Sequence, residues 1–129
     1  MEPKYYTPTL NEFFDGFEYE CFDLVWNKTT FDFRDLEVID DEIREGKIRV
    51  KHLDIQDIES LGWEISKIQR NPKTTCFEKS DTAFRFVLEI DIDSVKIDAY
   101  LDFKIPMFIG SVKNKSELKK LMQMLNIKQ

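Results

Sequence analysis

Apolar and polar side chains alternate along about twenty residues in the second half of the chain, and no other feature limits the possible folds as strongly. The apolar members of this alternation are Phe84, Phe86, Leu88, Ile90 and Ile92 and, beyond Ser94, Val95, Ile97, Ala99, Leu101 and Phe103. Because successive side chains of a strand point to opposite faces, each run places its apolar residues on a single face. The pattern predicts a long antiparallel hairpin over about residues 83–105, with one apolar face that another element must cover.

A helical pattern follows the hairpin and can supply that cover. Asn114 and Glu117 have the spacing of a capping box, which satisfies free amide groups at the start of a helix. The apolar residues that then recur at the spacing of one helix face are Leu118, Leu121, Met122 and Leu125. We therefore expect an α+β fold, a mostly antiparallel twisted sheet covered on one face by short helices that include this C-terminal amphipathic helix.

Shorter patterns predict the remaining elements. Thr7 followed by Pro8 favours a helix over residues 7–14, and a second helix is expected between Asp54 as its N-cap and Gly62 as its stop. Alternation and turn residues predict strands at residues 17–21, 30–33, 47–51, 63–68, 75–77 and 107–112, with an acidic turn or short helix at residues 40–42. Pro106, which cannot donate to a strand ladder, is expected to interrupt the sheet.

Size and composition fit one globular domain spanning residues 1–129. Of the 129 residues, 42% are hydrophobic and 34% are charged, and the chain contains no repeat and no Gly/Ser-rich linker. No apolar run reaches the roughly 20 residues that cross a bilayer, and the first residues lack the pattern of a signal peptide. We therefore expect a cytoplasmic protein that binds no membrane, in which Cys21 and Cys76 are reduced packing residues.

Negative charge is concentrated in the first third of the chain, together with aromatic residues. Residues 1–45 contain 13 Asp and Glu against 4 Lys and Arg, whereas residues 46–129 contain 12 against 15. Ten of the 17 aromatic residues lie within residues 1–33. Either the rings fill the core and the carboxylates are their solvated alternates, or some rings stay exposed among carboxylates and form a binding surface.

The second interpretation gives a specific hypothesis, in which this surface binds a basic, nucleic-acid-binding groove on another protein. Carboxylates would stand where phosphates bind, rings would stand where bases stack, and the attraction would weaken with salt. The candidate partner-binding residues are Glu12, Phe14, Asp15, Glu18, Tyr19, Glu20, Trp26, Asp32, Asp35, Glu37, Asp40, Asp41 and Glu42. A basic patch near the last helix includes Lys113 and Lys119, but the net charge of −6 does not favour direct binding of nucleic acid.

Signatures of catalysis are weak. His52 is the single histidine, the four glycines stand apart and form no phosphate loop, and we predict no cofactor. Asp91 with Asp102 and Lys104 is faintly similar to the acidic-x-Lys pattern of metal-dependent nucleases, in which carboxylates hold the metal and the lysine helps to activate water. Alternation alone, however, places Asp102 and Lys104 on the solvent face, where a charged pair is expected. We expect no enzyme, no catalytic residue and no metal ligand; a metal-dependent nuclease and a non-inhibitory adaptor are the alternatives.

Two blocks of sequence carry a family resemblance. Residues 48–54 and 57–63, which read IRVKHLD and DIESLGW, and residues 110–119, which read GSVKNKSELK, resemble small uncharacterised proteins of Bacteroidota and of their phages and mobile elements. The blocks contain no catalytic motif. The resemblance implies a protein that binds and disables a host enzyme, as anti-CRISPR inhibitors do. It makes an RNA-targeting CRISPR effector nuclease, with its guide RNA, the expected partner.

Overall fold

The computed structural model describes residues 3–80, 84–91 and 96–128. The chain forms two units, Met1–His52 and Leu53–Gln129, which we call the amino-terminal unit and the carboxyl-terminal unit. Each unit has its own antiparallel sheet and its own hydrophobic core. That the two belong to one folding domain, as the length suggests, stays a prediction.

The amino-terminal unit is a four-stranded sheet with one α-helix. Its elements are β1 (Tyr5–Tyr6), a 3₁₀ turn (Leu10–Glu12), β2 (Glu18–Asp23), β3 (Val25–Thr30), a second 3₁₀ turn (Phe33–Asp35), α1 (Leu36–Arg44) and β4 (Ile48–Lys51). The strands lie in the order β1, β4, β2, β3, and neighbouring strands are antiparallel. Gly46, with a φ of +73°, follows α1 and lets the chain turn directly into β4.

The core of this unit is built by strand alternation and by one face of α1. Its buried residues are Phe17, Tyr19, Phe31, Ile39, Ile48 and Val50. Ile39 and the half-buried Ile43, one helical turn apart, bring α1 onto this cluster. The opposite face of the sheet carries the exposed side chains of Phe22 and Lys28. One side of the sheet is therefore packed and the other faces solvent.

The carboxyl-terminal unit is a five-stranded sheet with two helices. Its elements are α2 (Ile55–Ser60), β5 (Glu64–Ile65), β6 (Thr75–Ser80), β7 (Arg85–Asp91), β8 (Lys96–Leu101), β9 (Ile105–Ser111) and α3 (Lys115–Met124). The strands pair in chain order from β5 to β9, and all pairs are antiparallel. Asp54 accepts a hydrogen bond from the amide of Asp57, and Asn114 accepts one from the amide of Glu117, so both helices begin at the residues predicted.

The predicted hairpin and its helical cover are confirmed, and so is the α+β fold class. β7 and β8 pair in a register that joins Phe86 to Leu101 and Ile90 to Ile97. Their inward side chains share one core with Ile58 of α2 and with Leu118 and Met122 of α3. Residue 83 and residues 92–95, which include Ile92, Ser94 and Val95 of the predicted alternation, lie outside the described residues.

Two local predictions were wrong, because local hydrogen bonds outweighed the patterns. The helix predicted at residues 7–14 is only a 3₁₀ turn, in which Glu12 accepts a hydrogen bond from the amide of Thr9 at 2.7 Å. The strand predicted at 30–33 ends at Thr30, since Asp32 accepts from the amide of Arg34 and starts a turn. Pro106 lies within β9, which is an edge strand and tolerates it, and the ladder register shifts beside it, between the pairs Ala99–Phe108 and Tyr100–Pro106, so the expected interruption is a local irregularity.

For residues 40–42 the sequence predicted either an acidic turn or a short helix. In the structure these residues belong to the nine-residue helix α1. The strand predicted at residues 63–68 is shorter, covering Glu64–Ile65. Among the described residues, no helix is both long enough and apolar enough to cross a bilayer.

Candidate functional site

The net charge of the protein belongs entirely to the amino-terminal unit. Residues 1–52 contain 13 Asp and Glu and 7 Lys and Arg, whereas residues 53–129 contain 12 of each. The first unit thus carries the whole formal charge of −6 and the second is neutral. A basic partner would be attracted to the amino-terminal unit in preference to the other.

Within that unit, α1 and the residues that flank it contain most of the carboxylates. We call this group the acidic ridge, and its members are Asp32, Asp35, Glu37, Asp40, Asp41, Glu42 and Glu45. Ile39 and Ile43 fix the buried side of α1, so Glu37 and Asp41, one turn apart, lie on the exposed side. Like charges at this spacing repel each other, which costs helix stability and calls for a reason.

Some of these carboxylates are paired at the surface and others are not. Salt bridges join Asp32 to Arg34 at 2.9 Å, Glu45 to Lys47 at 2.8 Å, and Asp40 to Arg44. The side chain of Arg34 lowers the pKa of Asp32 by donating hydrogen bonds to it. All three pairs are solvent-exposed and so contribute little to stability. In the described part of the chain, Asp35, Glu37 and Asp41 take part in no salt bridge and remain open to a cationic partner.

Apolar side chains stand among the carboxylates of the acidic ridge. Phe33 at its start is 60% exposed, Val38 in α1 is 58% exposed, and Leu36 is also exposed. The ring of Phe33 contacts the edge of the buried Phe31 ring at a centroid distance of 5.7 Å, which orients it without burying it. The ridge therefore combines negative charge with uncovered apolar surface.

Six of the ten carboxylates proposed as partner-binding residues belong to the acidic ridge. These six are Asp32, Asp35, Glu37, Asp40, Asp41 and Glu42. Asp15 adjoins them, because its carboxylate accepts a hydrogen bond from the amide of Phe33 at 3.2 Å. Glu12 accepts from the hydroxyl of Tyr6 at 2.8 Å and serves the local structure.

The two remaining carboxylates and one of the proposed rings lie on the exposed face of the sheet, away from α1. Glu18 and Glu20 alternate with the buried Tyr19 along β2, and Trp26 of β3 is directly opposite Phe22 on that same outer face. The guanidinium of Arg49 lies 3.7 Å from the centre of the Tyr5 ring and 4.2 Å from that of Trp26. Arg49 also donates to Glu20 at 2.8 Å, so the carboxylate and the indole ring already have a cation between them.

The rings proposed as anchors are not the exposed ones. Tyr19 is 8% exposed in the core, and Phe14 is half-buried against Phe17 at a centroid distance of 5.5 Å. The exposed rings of this unit are instead Phe33 and Phe22, which the sequence interpretation missed. The sequence does contain a pattern that predicts an exposed Phe22. When the alternation of residues 17–21 is extended by one position, Phe22 falls on the solvent-facing side of the strand with Glu18 and Glu20.

The turn between β2 and β3 exposes a further apolar group, which we call the apolar tip: Phe22, Leu24 and Val25. Leu24 is 91% exposed and has a φ of +63°, a backbone conformation that is uncommon for leucine. No sequence pattern indicated it, because Gly, Asn and Asp are the residues that usually mark such turns.

Cys21 is held protonated beside the acidic ridge. Burial, together with its hydrogen bond to Glu42 at 2.9 Å and the charge of that carboxylate, raises the pKa of the thiol to about 11. Because the thiolate is the reactive form, we expect Cys21 in a Cys76→Ala background to react with iodoacetamide at about pH 8 roughly 100-fold more slowly than an exposed cysteine.

Glu42→Gln should restore part of that rate, since it removes the charge while the burial, the larger cause, remains. Glu37→Gln, on the exposed side of α1, is the matched control and should leave the rate unchanged. Mass spectrometry of the alkylated protein against time measures both rates. Reaction of Cys21 as fast as a free thiol would contradict its burial, and an unchanged rate in Glu42→Gln would contradict the contact with Glu42.

The residues of the alternative nuclease pattern do not converge. Asp91 is paired in register with Lys96 at one end of the β7–β8 ladder, and Asp102 lies beyond the other end, bonded to Arg85 at 2.8 Å. The two ends of this six-pair ladder are five residue steps apart, which is about 17 Å along a strand. Among the described residues, no group of three or more His, Cys, Asp or Glu side chains could hold a metal ion.

Comparison with known proteins adds no relative. No protein-family model, no curated protein and no solved structure matches the chain.

Proposed function

We propose that this chain is a small acidic binding protein that inhibits a nucleic-acid-handling enzyme by occupying its basic surface with the acidic ridge. The observation that carries the proposal is the row formed by Glu37 and Asp41 on the exposed side of α1, with Phe33 and Val38 uncovered beside it. A chain without a partner gains nothing from repelling charges and exposed apolar groups in one place. Both become favourable against a surface of opposite charge.

The chemistry of the ridge resembles that of a nucleic acid strand. Carboxylates can receive the Lys and Arg side chains that otherwise bind phosphates, and apolar side chains can occupy positions where bases stack. Because the whole net charge lies in one unit, attraction at long range would also orient the encounter and speed association.

We propose the partner class from the similarity of residues 48–63 and 110–119 to small proteins of Bacteroidota phages and mobile elements. We propose an RNA-guided CRISPR effector nuclease of the RNA-targeting type, in which the acidic ridge occupies a basic surface that otherwise holds RNA. Such a groove is lined by cations that follow a sugar–phosphate backbone, which is the chemistry that the ridge complements.

The test is capture of partners from a Bacteroidota lysate on the immobilised protein at two salt concentrations. Screening shortens from about 10 Å at 0.1 M to about 3 Å at 1 M, so a partner held by the ridge should be recovered at the lower salt and lost at the higher. The double variant Glu37→Lys with Asp41→Lys should reduce its recovery at least about tenfold, because two attractive contacts become repulsive. The captured enzyme is then assayed for nucleic-acid cleavage with increasing amounts of the protein.

Glu59→Lys with Glu64→Lys is the matched control, because it makes the same change in net charge on exposed residues of the carboxyl-terminal unit. Equal recovery at both salt concentrations, or an equal loss in the control, would contradict an electrostatic role for the ridge. A captured enzyme that keeps full activity would identify the protein as an adaptor.

A further inference from the structure

We infer that the apolar tip, Phe22, Leu24 and Val25, inserts into an apolar recess rimmed by Lys or Arg side chains on the partner protein. This inference deepens the proposed function, because it adds a second contact, apolar in character, to the one made by the acidic ridge. It identifies the kind of surface the partner must offer, which the ridge alone does not.

The tip exposes more apolar surface than a turn needs. Leu24 is almost wholly exposed, Val25 is 62% exposed, and Phe22 is also exposed, all within four residues of one hairpin. Turn residues are ordinarily polar or glycine, since they gain nothing from burial in their own fold. Phe22 pairs with Trp26 and Val25 with Asp23, so Phe22 and Val25 lie on opposite faces of the hairpin, and an occupant that contacts both must enclose the hairpin end. Exposed apolar groups gathered in one place mark interaction sites.

The backbone at Leu24 is held in an unfavourable conformation. Its φ of +63° lies in the left-handed region, where glycine or asparagine would be less strained. Strained backbone persists where the surrounding structure imposes it, and it is enriched at functional sites. Leucine at position 24 is therefore costly for the hairpin, and a contact between its side chain and a partner would offset that cost.

Contacts within the amino-terminal unit hold Phe22, at the base of the apolar tip, in place. The Phe22 ring meets the Trp26 ring at 5.2 Å, and Trp26 in turn stacks under the guanidinium of Arg49. The amide of Phe22 donates to the carbonyl oxygen of Lys47 at 2.8 Å, which fixes β2 to the start of β4. A group that is already ordered loses little conformational entropy on binding, so each apolar contact contributes more fully to affinity.

Charge around the tip indicates what its partner carries. Asp23 lies within the tip and forms no salt bridge in the described part of the chain. Glu42 of the acidic ridge is at the same end of the unit, as its contact with Cys21 shows. Lys47 is nearby, but its charge is balanced by Glu45. A surface that accepts the tip must therefore bring cations to Asp23 and Glu42, which disfavours an anionic membrane and a second copy of this chain.

The first test separates the side chain from the backbone at position 24. Leu24→Gly should preserve or raise the thermal midpoint, because glycine adopts a positive φ without strain. It should nevertheless weaken binding of the captured partner about 10- to 100-fold, since the buried leucine is lost. Ile109→Ala, at an exposed apolar residue of β9, is the control and should leave affinity unchanged. Unchanged affinity in Leu24→Gly would overturn the inference.

The second test maps what lies against the tip. A photo-reactive benzoylphenylalanine at position 24 is irradiated in the lysate and, separately, with vesicles containing about one-third anionic lipid. The inference is supported when the cross-linked peptide is apolar and adjoins Lys or Arg in the partner. Cross-links only to another copy of the chain, only to lipid, or no more numerous than those from position 109 would each overturn it. Recovery of the partner by the double variant Glu37→Lys with Asp41→Lys is measured in a separate experiment. Its result can contradict the role of the acidic ridge without contradicting that of the apolar tip, and the reverse also holds.

Discussion

Replacing Phe17 with alanine should lower the free energy of unfolding by about 3–5 kcal/mol, one of the two largest losses expected from a single substitution in this chain. Phe17 has no exposed surface, and the rings of Phe13 and Phe14 pack against it at 4.7 and 5.5 Å. Its removal leaves a cavity between the sheet and the ring cluster that the neighbours can fill only in part. Urea denaturation followed by circular dichroism measures the loss.

Phe33→Ala is the control for that experiment, because it removes the same ring from an exposed position of the same unit. Its effect should stay within about 0.5 kcal/mol, as is usual for surface substitutions. A loss from Phe17→Ala that is no greater than this would contradict the burial of the ring.

The same substitution also tests whether the chain is one folding domain. The two tryptophans lie in different units, Trp26 in the amino-terminal unit and Trp63 in the carboxyl-terminal unit. In a Trp26→Phe background, fluorescence therefore reports only the carboxyl-terminal unit. If the chain is a single domain, Phe17→Ala should lower the urea midpoint seen by Trp63, and an unmoved midpoint would show that the units unfold separately.

Trp63→Ala is the second substitution with a large expected effect, again about 3–5 kcal/mol. The indole is 2% exposed, and its Nε1 group donates to the sulfur of Met122 at 3.4 Å. Alanine would remove the largest buried side chain of the carboxyl-terminal unit and leave α3 with a void beneath it. Thermal and urea denaturation measure the loss, and Trp26 then reports whether the amino-terminal unit is affected.

Ile65→Ala is the control for Trp63→Ala, since Ile65 is more than half exposed in β5, two residues further along the chain. It should change the free energy of unfolding by less than about 1 kcal/mol, because most of its side chain is already in water. Equal losses from both variants would mean that Trp63 does not anchor the core described above.

The carboxyl-terminal unit could be predicted from sequence because its signals agree with one another. In β7, Phe86, Leu88 and Ile90 are all buried, as alternation requires, and α3 begins at Asn114, where the capping residues place it. Phe84, which the same alternation placed inside, is half exposed because it precedes the first ladder pair. The five-strand order was not predictable, because alternation fixes the face of a strand and not its neighbours.

The candidate site was harder to predict because its residues are distant in sequence or break local rules. The acidic ridge depends on α1 being a complete helix, and Leu36, Val38, Ile39 and Ile43 give too ragged an apolar face to predict nine helical residues. Trp26 was proposed as an exposed anchor because it lies in the acidic, aromatic first third of the chain. The non-local contact with Arg49 covers its ring. Leu24 was missed because its turn contradicts the usual residue preferences.

The position of Arg49 makes the two sides of the amino-terminal unit differ in their capacity to bind a cation. Tyr5, Trp26 and Glu20 come from three different strands and would make a good receptor for a foreign guanidinium, but the protein fills that receptor itself. An arginine-rich partner would therefore find this site on the sheet side occupied by Arg49, whereas Glu37 and Asp41 on the helix side take part in no salt bridge among the described residues. Tyr5, Trp26 and Glu20 can therefore not receive a second arginine, so cation binding by this unit is directed to the helix side.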